Sequence, residues 1–204
     1  MMNSVRVAIF ASGTGSNAEA LIKKMQLMGR SVEFVFSDQA AAGVLTKAHA
    51  LNTKTYVIEK NQDRKQHEQE VLKLLLQHQI DWVLLAGYMR LLSADFLKSL
   101  ADRHGGHAQV VNIHPSLLPA YPGKDSLERA YADKVEQSGV TLHLVDEGMD
   151  TGTILKQVAV PLKGFNAFGD FKTDIHRLEH KIYTEFLEQI VKGEIATHSF
   201  KETN

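Results

Sequence analysis

Asn112-Ile113-His114 sets a neutral amide and a titratable imidazole two residues apart. On an extended chain both point to the same face. An amide donor beside an imidazole can bind a carbonyl, polarise it and move a proton. His114 is one of ten histidines, and beside Pro115 it can also be a structural hydrogen-bonding residue. The paired amide favours chemistry, as does the Pro-rich stretch that follows, Leu118-Pro119-Ala120-Tyr121-Pro122-Gly123. A second cluster is acidic: Asp146-Glu147-Gly148-Met149-Asp150-Thr151-Gly152. Its plain reading is a solvated turn, but Gly148 and Gly152 imply tighter geometry. An acid in such a turn can raise the pKa of an imidazole. His143 with Asp146 and Asp150 is a conceivable metal set; the favoured reading uses no metal.

A third candidate is the loop Ser12-Gly13-Thr14-Gly15-Ser16-Asn17, which leaves a strand and enters a helix. Glycines let the backbone approach an anion, and a helix start offers free N–H groups. No Gly-Lys-Ser/Thr follows, so it is not a P-loop. A phosphate monoester fits such a short loop better than a pyrophosphate. Asp38 stands at about the distance of a ribose-binding acid, which keeps a nucleotide reading open. Arg90 is an anomaly inside the apolar stretch Leu85-Ala86-Gly87-Tyr88-Met89-Arg90-Leu91-Leu92. It reaches a carboxylate or snorkels to the surface.

These residues need a scaffold, and the pattern supplies one. Strand-like runs at 5–10, 32–36, 55–58 and 82–86 alternate with helical periodicity. Ser16 with Glu19, and Asp125 with Glu128, have capping-box spacing. Ser93 can cap a short helix to Leu100, and a helix runs from about Asp63 to Gln79. Strands are expected at 109–113, 140–145 and 154–160, and a last helix from about Asp170 to Lys192. The alternation predicts an α/β fold with a doubly wound, mostly parallel sheet flanked by helices. With 204 residues and no internal repeat or linker, the chain is read as one domain, 1–204. A formal charge of −1 argues against a broad nucleic-acid footprint. The absence of cysteine excludes a thiolate nucleophile and a Cys-ligated zinc site. The first strand begins at Val5 and no apolar run nears the ~18 residues of a membrane span, so a cytoplasmic protein without membrane attachment is expected.

The motifs Ala11-Ser12-Gly13-Thr14-Gly15-Ser16-Asn17, Ala86-Gly87-Tyr88-Met89-Arg90-Leu91-Leu92, Asn112-Ile113-His114-Pro115-Ser116-Leu117-Leu118-Pro119 and Val145-Asp146-Glu147-Gly148-Met149-Asp150 resemble those of the folate-dependent phosphoribosylglycinamide formyltransferases. The resemblance runs from about Val5 to Val191. It implies a Rossmann-like formyltransferase fold and transfer of a formyl group from 10-formyltetrahydrofolate to the amine of 5′-phosphoribosylglycinamide, in purine synthesis. It assigns catalysis to Asn112, His114 and Asp150. Gly15, Ser16 and Asn17 would hold the 5′-phosphate, and Glu179 would lie near the ribose. Arg64, Met89, Arg90, Leu91, Leu92, Asn112 and Asp146 would serve the folate. The folate is a co-substrate, with no permanently bound cofactor and no metal; the partners implied are these small molecules, and a homodimer is left open. Two departures stand out: the aromatic and glycine-rich segment 164–171, and Thr184 where relatives often carry proline.

From these roles, Asp150 is expected to hold His114 protonated above the ordinary imidazole pKa near 6.5. Hydrolysis of formyltetrahydrofolate is the alternative within catalysis, but water needs no phosphate anchor. A non-catalytic nucleotide-binding module would explain the Gly loop but not the three polar residues together.

Overall fold

The computed structural model describes residues 5–59, 63–165 and 167–195. The first half alternates strand and helix: β1 (Val7–Phe10), α1 (Ser16–Leu27), β2 (Phe34–Ser37), α2 (Gly43–Ala50), β3 (Thr55–Val57), α3 (Arg64–Gln77), β4 (Trp82–Leu85) and α4 (Ala94–Ala101). Then come β5 (Val110–His114), α5 (Ser126–Ala132), β6 (Gln137–Leu144), β7 (Ile154–Pro161) and α6 (Phe168–Lys192). The seven strands form one sheet in the order β3-β2-β1-β4-β5-β6-β7. The first five are parallel, and β6 and β7 join antiparallel. The sheet is therefore mostly parallel and doubly wound.

Strand alternation divides the core in two. Val7, Ile9, Trp82, Leu84, Val111 and Ile113 face α1, α2 and α6. Ala8, Phe10, Val83, Leu85 and Val110 face α3 and α4. Both faces of the central strands are covered, which explains why β1 and β4 read as unbroken apolar runs. Trp82 meets Phe186 edge-on at 5.6 Å, tying β4 to α6. Tyr183 is wholly buried, and its hydroxyl donates to the carbonyls of Leu85 (3.1 Å) and Val111 (2.9 Å). These bonds fix α6 against the end of β4 and the beginning of β5.

The chain reverses its winding between β1 and β4, so the loops after these two strands diverge. Open α/β sheets bind ligands in the crevice such a reversal leaves. Ser93 caps α4 by accepting from the Phe96 N–H at 3.1 Å, and Asp63 caps α3 by accepting from Gln66 at 3.1 Å. The two predicted capping boxes do not form. Gly15 and Asp125 occupy the cap positions in left-handed conformation, with no side-chain cap bond. Glu19 pairs instead with Lys23 and Lys47, and Glu128 with Lys172. Among the described residues no helix is long and apolar enough to cross a membrane.

Candidate active site

A cavity of about 500 Å³ opens at the C-terminal ends of β1, β4 and β5. Its floor is Asn112 and His114, on the same face of β5 as their spacing requires. The antiparallel β6 sets His143 opposite Asn112 in register. Asp150 arrives from the β6–β7 turn with φ 56°, a left-handed backbone that a non-glycine residue adopts only when its surroundings hold it. The turn is as tight as its glycines imply. A Cβ on Gly152 would lie 1.8 Å from the Leu144 carbonyl oxygen, and one on Gly148 2.0 Å from Thr151 Oγ1. Asp146 closes the turn from inside, accepting from the Gly148 N–H (3.0 Å) and Thr151 Oγ1 (2.7 Å).

The catalytic candidates meet. Asp150 Oδ2 lies 3.4 Å from His114 Nδ1 and accepts from the Gly123 N–H at 2.8 Å. Its other oxygen faces Asn112 Nδ2 (3.4 Å) and His143 Nε2 (3.5 Å). His114 Nε2 donates to the Tyr121 carbonyl at 2.9 Å. The Pro-rich loop thus supports both residues, with a carbonyl for His114 and an N–H for Asp150. Tyr121 and Gly123 have φ of 55° and 76°, left-handed backbone within this loop. The loop is itself bound to β6 and β7. Leu118 N–H donates to Thr141 Oγ1 (3.1 Å), and Gln157 Nε2 donates to the Leu118 carbonyl (2.9 Å).

Burial would raise the Asp150 carboxyl. The contacts with His143 and the Gly123 N–H, and the imidazoles around it, outweigh that and bring its pKa down to about 2. His114 moves the other way from expectation. Burial lowers its pKa below the ordinary 6.5, and the Tyr121 carbonyl and the Asp150 charge offset this only in part. The resting imidazole is neutral near pH 7, with its proton on Nε2 and its Nδ1 lone pair facing a carboxylate. The expected elevation is overturned because this ring is only 5% exposed.

Gly15 caps α1 with φ 75°. The first helical bond runs from the Glu19 N–H to the Gly15 carbonyl at 2.9 Å. The N–H groups of Ser16, Asn17 and Ala18 precede that ladder and have no partner within the helix, and Ser16 and Asn17 line the cavity. Val44 closes the loop from behind; a Cβ on Gly15 would lie 2.5 Å from Val44 Cβ. Glu179, on α6, faces this end of the cavity, and Asn17 hydrogen-bonds its carboxyl. Asn17 Oδ1 is buried without a partner among the described residues, an acceptor open to a ligand hydroxyl.

Burial lifts the Glu179 pKa from 4.5 to about 7, the Asn17 bond opposing it. A carboxyl with a raised folded pKa stabilises fully below its unfolded value and loses that contribution as pH rises through the folded one. At about 1.4 kcal/mol per pKa unit, the loss between pH 4.5 and 7 is about 3 kcal/mol. Glu179→Gln, which cannot ionise, should remove it. Urea unfolding at pH 4 and pH 8 measures the difference; parallel wild-type and variant profiles would refute the buried acid.

The opposite wall is the segment after β4. Met89 and Leu91 are 63% and 46% exposed, while Leu92 is buried. Arg90 Nη1 is buried without a partner among the described residues, so this arginine does not simply snorkel. Arg64 does not line the cavity. It stands at the rim, where its Nη2 donates to the Leu91 carbonyl at 2.9 Å.

The formyl transferase family matches residues 5–187. The chain belongs to the formyl transferase family. It is 35% identical over 190 residues to the phosphoribosylglycinamide formyltransferase of Bacillus subtilis (strain 168), covering 91% of this chain and 94% of that one. The crystal structure of phosphoribosylglycinamide formyltransferase from Bacillus halodurans superposes with a TM-score of 0.84 at 37% identity, over 96% of this chain and 100% of that one. The structure of the Streptococcus pneumoniae TIGR4 enzyme of the same name gives 0.82 at 38% identity, over 91% and 98%. The expected family and fold class are thereby established, and the reaction class of this formyltransferase is formyl transfer.

Both departures from the family pattern have local accounts. Phe165 meets Phe171 at 5.5 Å, and Tyr131 meets Phe168 at 5.2 Å, an aromatic cluster that docks the start of α6 on α5. Position 166 lies outside the described residues. Thr184 returns its hydroxyl to the His180 carbonyl at 2.7 Å, inside the helix. His143 is the residue that the sequence left aside except as a metal candidate. Among the described residues no group of three or more His, Asp or Glu has metal-holding geometry. The signal for His143 is its parity: it alternates with Thr141 on β6 and pairs in register with Asn112.

Proposed function

We propose that this formyltransferase moves the formyl group of 10-formyltetrahydrofolate to the amine of 5′-phosphoribosylglycinamide, with Asn112, His114 and Asp150 as its catalytic residues. The observation that carries the reading is their meeting on one cavity floor, between an anion-binding helix start and an apolar wall. The 5′-phosphate sits on the N–H groups of Ser16 and Asn17, beside Gly15, and Glu179 and Asn17 take the ribose hydroxyls. The folate lies along Met89, Leu91 and Leu92, under Arg90 and the Asp146 turn. The folate is consumed as a co-substrate. The strands behind the site belong to one sheet, with α1 and α6 packed on it in one core, which supports reading 1–204 as a single formyltransferase domain.

The amine attacks the formyl carbon, a C–N bond forms, and the carbonyl oxygen takes the negative charge. The attacking nitrogen then sheds a proton. His114 Nδ1, neutral and facing an ionised Asp150, is built to receive it directly or through a water. The resulting imidazolium is stabilised by the Asp150 carboxylate and in turn stabilises the oxyanion with Asn112 Nδ2. The proton passes to the departing folate nitrogen, the C–N bond to the folate breaks, and the carbonyl re-forms.

Incubating the protein with formyltetrahydrofolate, with and without phosphoribosylglycinamide, tests the reading. Formyl transfer that requires the amine is expected. Loss of formyl without the amine would mean a hydrolase, and no loss in either case a binding protein. The phosphate loop is tested by Gly15→Val, which adds a branched side chain at φ 75° against Val44. Calorimetry should show phosphoribosylglycinamide affinity falling at least tenfold, the order of one lost charge-assisted hydrogen bond, and folate affinity little changed. Unaltered affinity for the amine substrate would give this loop another job.

A further inference from the structure

Residues 87–92 line the cavity as its apolar wall, and 87–93 belong to no helix or strand, α4 beginning at Ala94. Tyr88 packs inward on Phe10 at 5.5 Å, and Leu92 is buried, while Met89 and Leu91 stand exposed. A segment without a ladder of its own keeps one shape only if its ends are held. Apart from the Ser93 carbonyl, which accepts from the Leu97 N–H in α4 at 3.0 Å, the backbone bonds of this segment go, among the described residues, to two places. At the first end the Gly87 carbonyl accepts from the Ser12 N–H (3.1 Å), and the Met89 N–H donates to Ser12 Oγ (3.0 Å). Ser12 Oγ in turn donates to Asp38 Oδ1 at 2.6 Å. At the other end Glu68 Oε1 accepts from the Ser93 N–H (3.0 Å) and from Arg64 Nε (3.1 Å), and its Oε2 accepts from Ser93 Oγ. Arg64 then holds the Leu91 carbonyl.

Asp38 is 3% exposed and Glu68 9%. Neither lines the main cavity. A buried carboxylate is costly unless its bonds are made, so each fixes its partners firmly. Ser12 is especially constrained. With its proton committed to Asp38, its oxygen can only accept, which is what the Met89 N–H requires.

We propose that Asp38 and Glu68 are positioning residues that pin the two ends of the 87–93 wall and thereby set the affinity for the folate without touching it. This gives Asp38 a task different from the ribose contact that its place after β2 suggests. The proposal rests on the folate reading only for the choice of ligand.

The test uses the full chain with Asp38→Ala, Glu68→Gln and both together, titrated with tetrahydrofolate by calorimetry. Each single variant should weaken binding by about tenfold, the order of one charge-assisted hydrogen bond. The double variant should lose about the product, because the anchors are separate. Arg64→Ala with Glu68→Gln should lose less than the product, because they form one anchor. Turnover at saturating folate and the KM for phosphoribosylglycinamide should stay within about twofold of wild type, on the same scale of uniform binding loss. Amide hydrogen exchange, measured without any ligand, should quicken at Met89 in Asp38→Ala and at Ser93 in Glu68→Gln. Ser12→Ala, which leaves both carboxylates in place, gives the first anchor a second trial if Asp38→Ala does not fold. Variants with a lower Tm but unchanged folate affinity and unchanged exchange would overturn the proposal and leave the two carboxylates as fold-stabilising caps. If the wild-type protein does not bind tetrahydrofolate, the folate reading fails, and the exchange rates still decide whether the wall is anchored.

Discussion

Replacing His114 or Asp150 with alanine is expected to slow turnover by something like 10²–10⁴-fold, the scale of a general acid–base group. The double variant should lose far less than the product of the single losses, because the two act as one unit. The geometry gives the reason. With Nε2–H committed to Tyr121 O, the only basic nitrogen of His114 is Nδ1, 3.4 Å from Asp150 Oδ2. Two acceptors face each other there, and the arrangement gains most when a proton arrives between them. Asp150, with a pKa of about 2, does not take that proton for itself at neutral pH. It makes His114 able to hold one during the reaction.

The same geometry fixes a titration. In the free protein the His114 ring should titrate below 6.5, because burial is the largest influence on it. Asp150→Asn removes the charge that opposes burial, so its midpoint should fall further. Imidazole signals followed by NMR across pH 4–8 report both values, and circular dichroism checks that the variants fold. A midpoint above 6.5, a rise in Asp150→Asn, or fully multiplicative losses in the double variant would break the coupled pair.

How much of this was legible in the sequence depends on the range of each interaction. The period-2 parity of Asn112 and His114 is local, and it placed both on one face correctly. The strand–Gly loop–helix order located the helix start, but not its cap. Glu19 was free to serve Ser16, yet Lys23 and Lys47 offered charge, and Gly15 in left-handed conformation left no geometry for the box. The pairing of Asp150 with His114 joins residues 36 apart (150 − 114) through the β6–β7 turn, and the motif order of the family made it readable. The direction of the His114 shift was not readable. It depends on how deeply the ring is packed, a property of the loop that covers it and of β6. His143 was missed as a positioning group for the same reason, since register across two antiparallel strands is set by tertiary pairing. Arg64 was placed by resemblance at the folate, and the structure sets it one residue back from the cavity, on the Leu91 carbonyl.

Asn112→Ala is expected to cost about 10²–10³ in kcat, the scale of one lost oxyanion donor. The loss depends on which end of the amide faces the reaction, and His143 decides that. His143 Nδ1 lies 2.8 Å from the Leu144 carbonyl and donates to it, so in the neutral form of the ring Nε2 carries the lone pair. That lone pair accepts from Asn112 Nδ2 at 3.2 Å. A reversed amide would set Oδ1 against both this lone pair and the Asp150 carboxylate, and is disfavoured twice. The second Nδ2 proton reaches Asp150 Oδ1 at only 3.4 Å, a weak bond that the amide can exchange for a developing oxyanion. His143→Phe fills the space but removes the lock. It should lower kcat by about tenfold or more, since a freely flipping amide presents its donor part of the time and loses preorganisation, and it should leave both KM values nearly unchanged. His143→Gln, which keeps an acceptor, should recover part of the loss. In an Asn112→Ala background His143→Phe should cost almost nothing further, because the group it orients is gone. Steady-state kinetics of the four variants decide the matter. A multiplicative loss in the Asn112→Ala/His143→Phe double variant, or a His143→Phe enzyme with wild-type turnover, would remove His143 from the mechanism and leave Asn112 to be oriented by Asp150 alone.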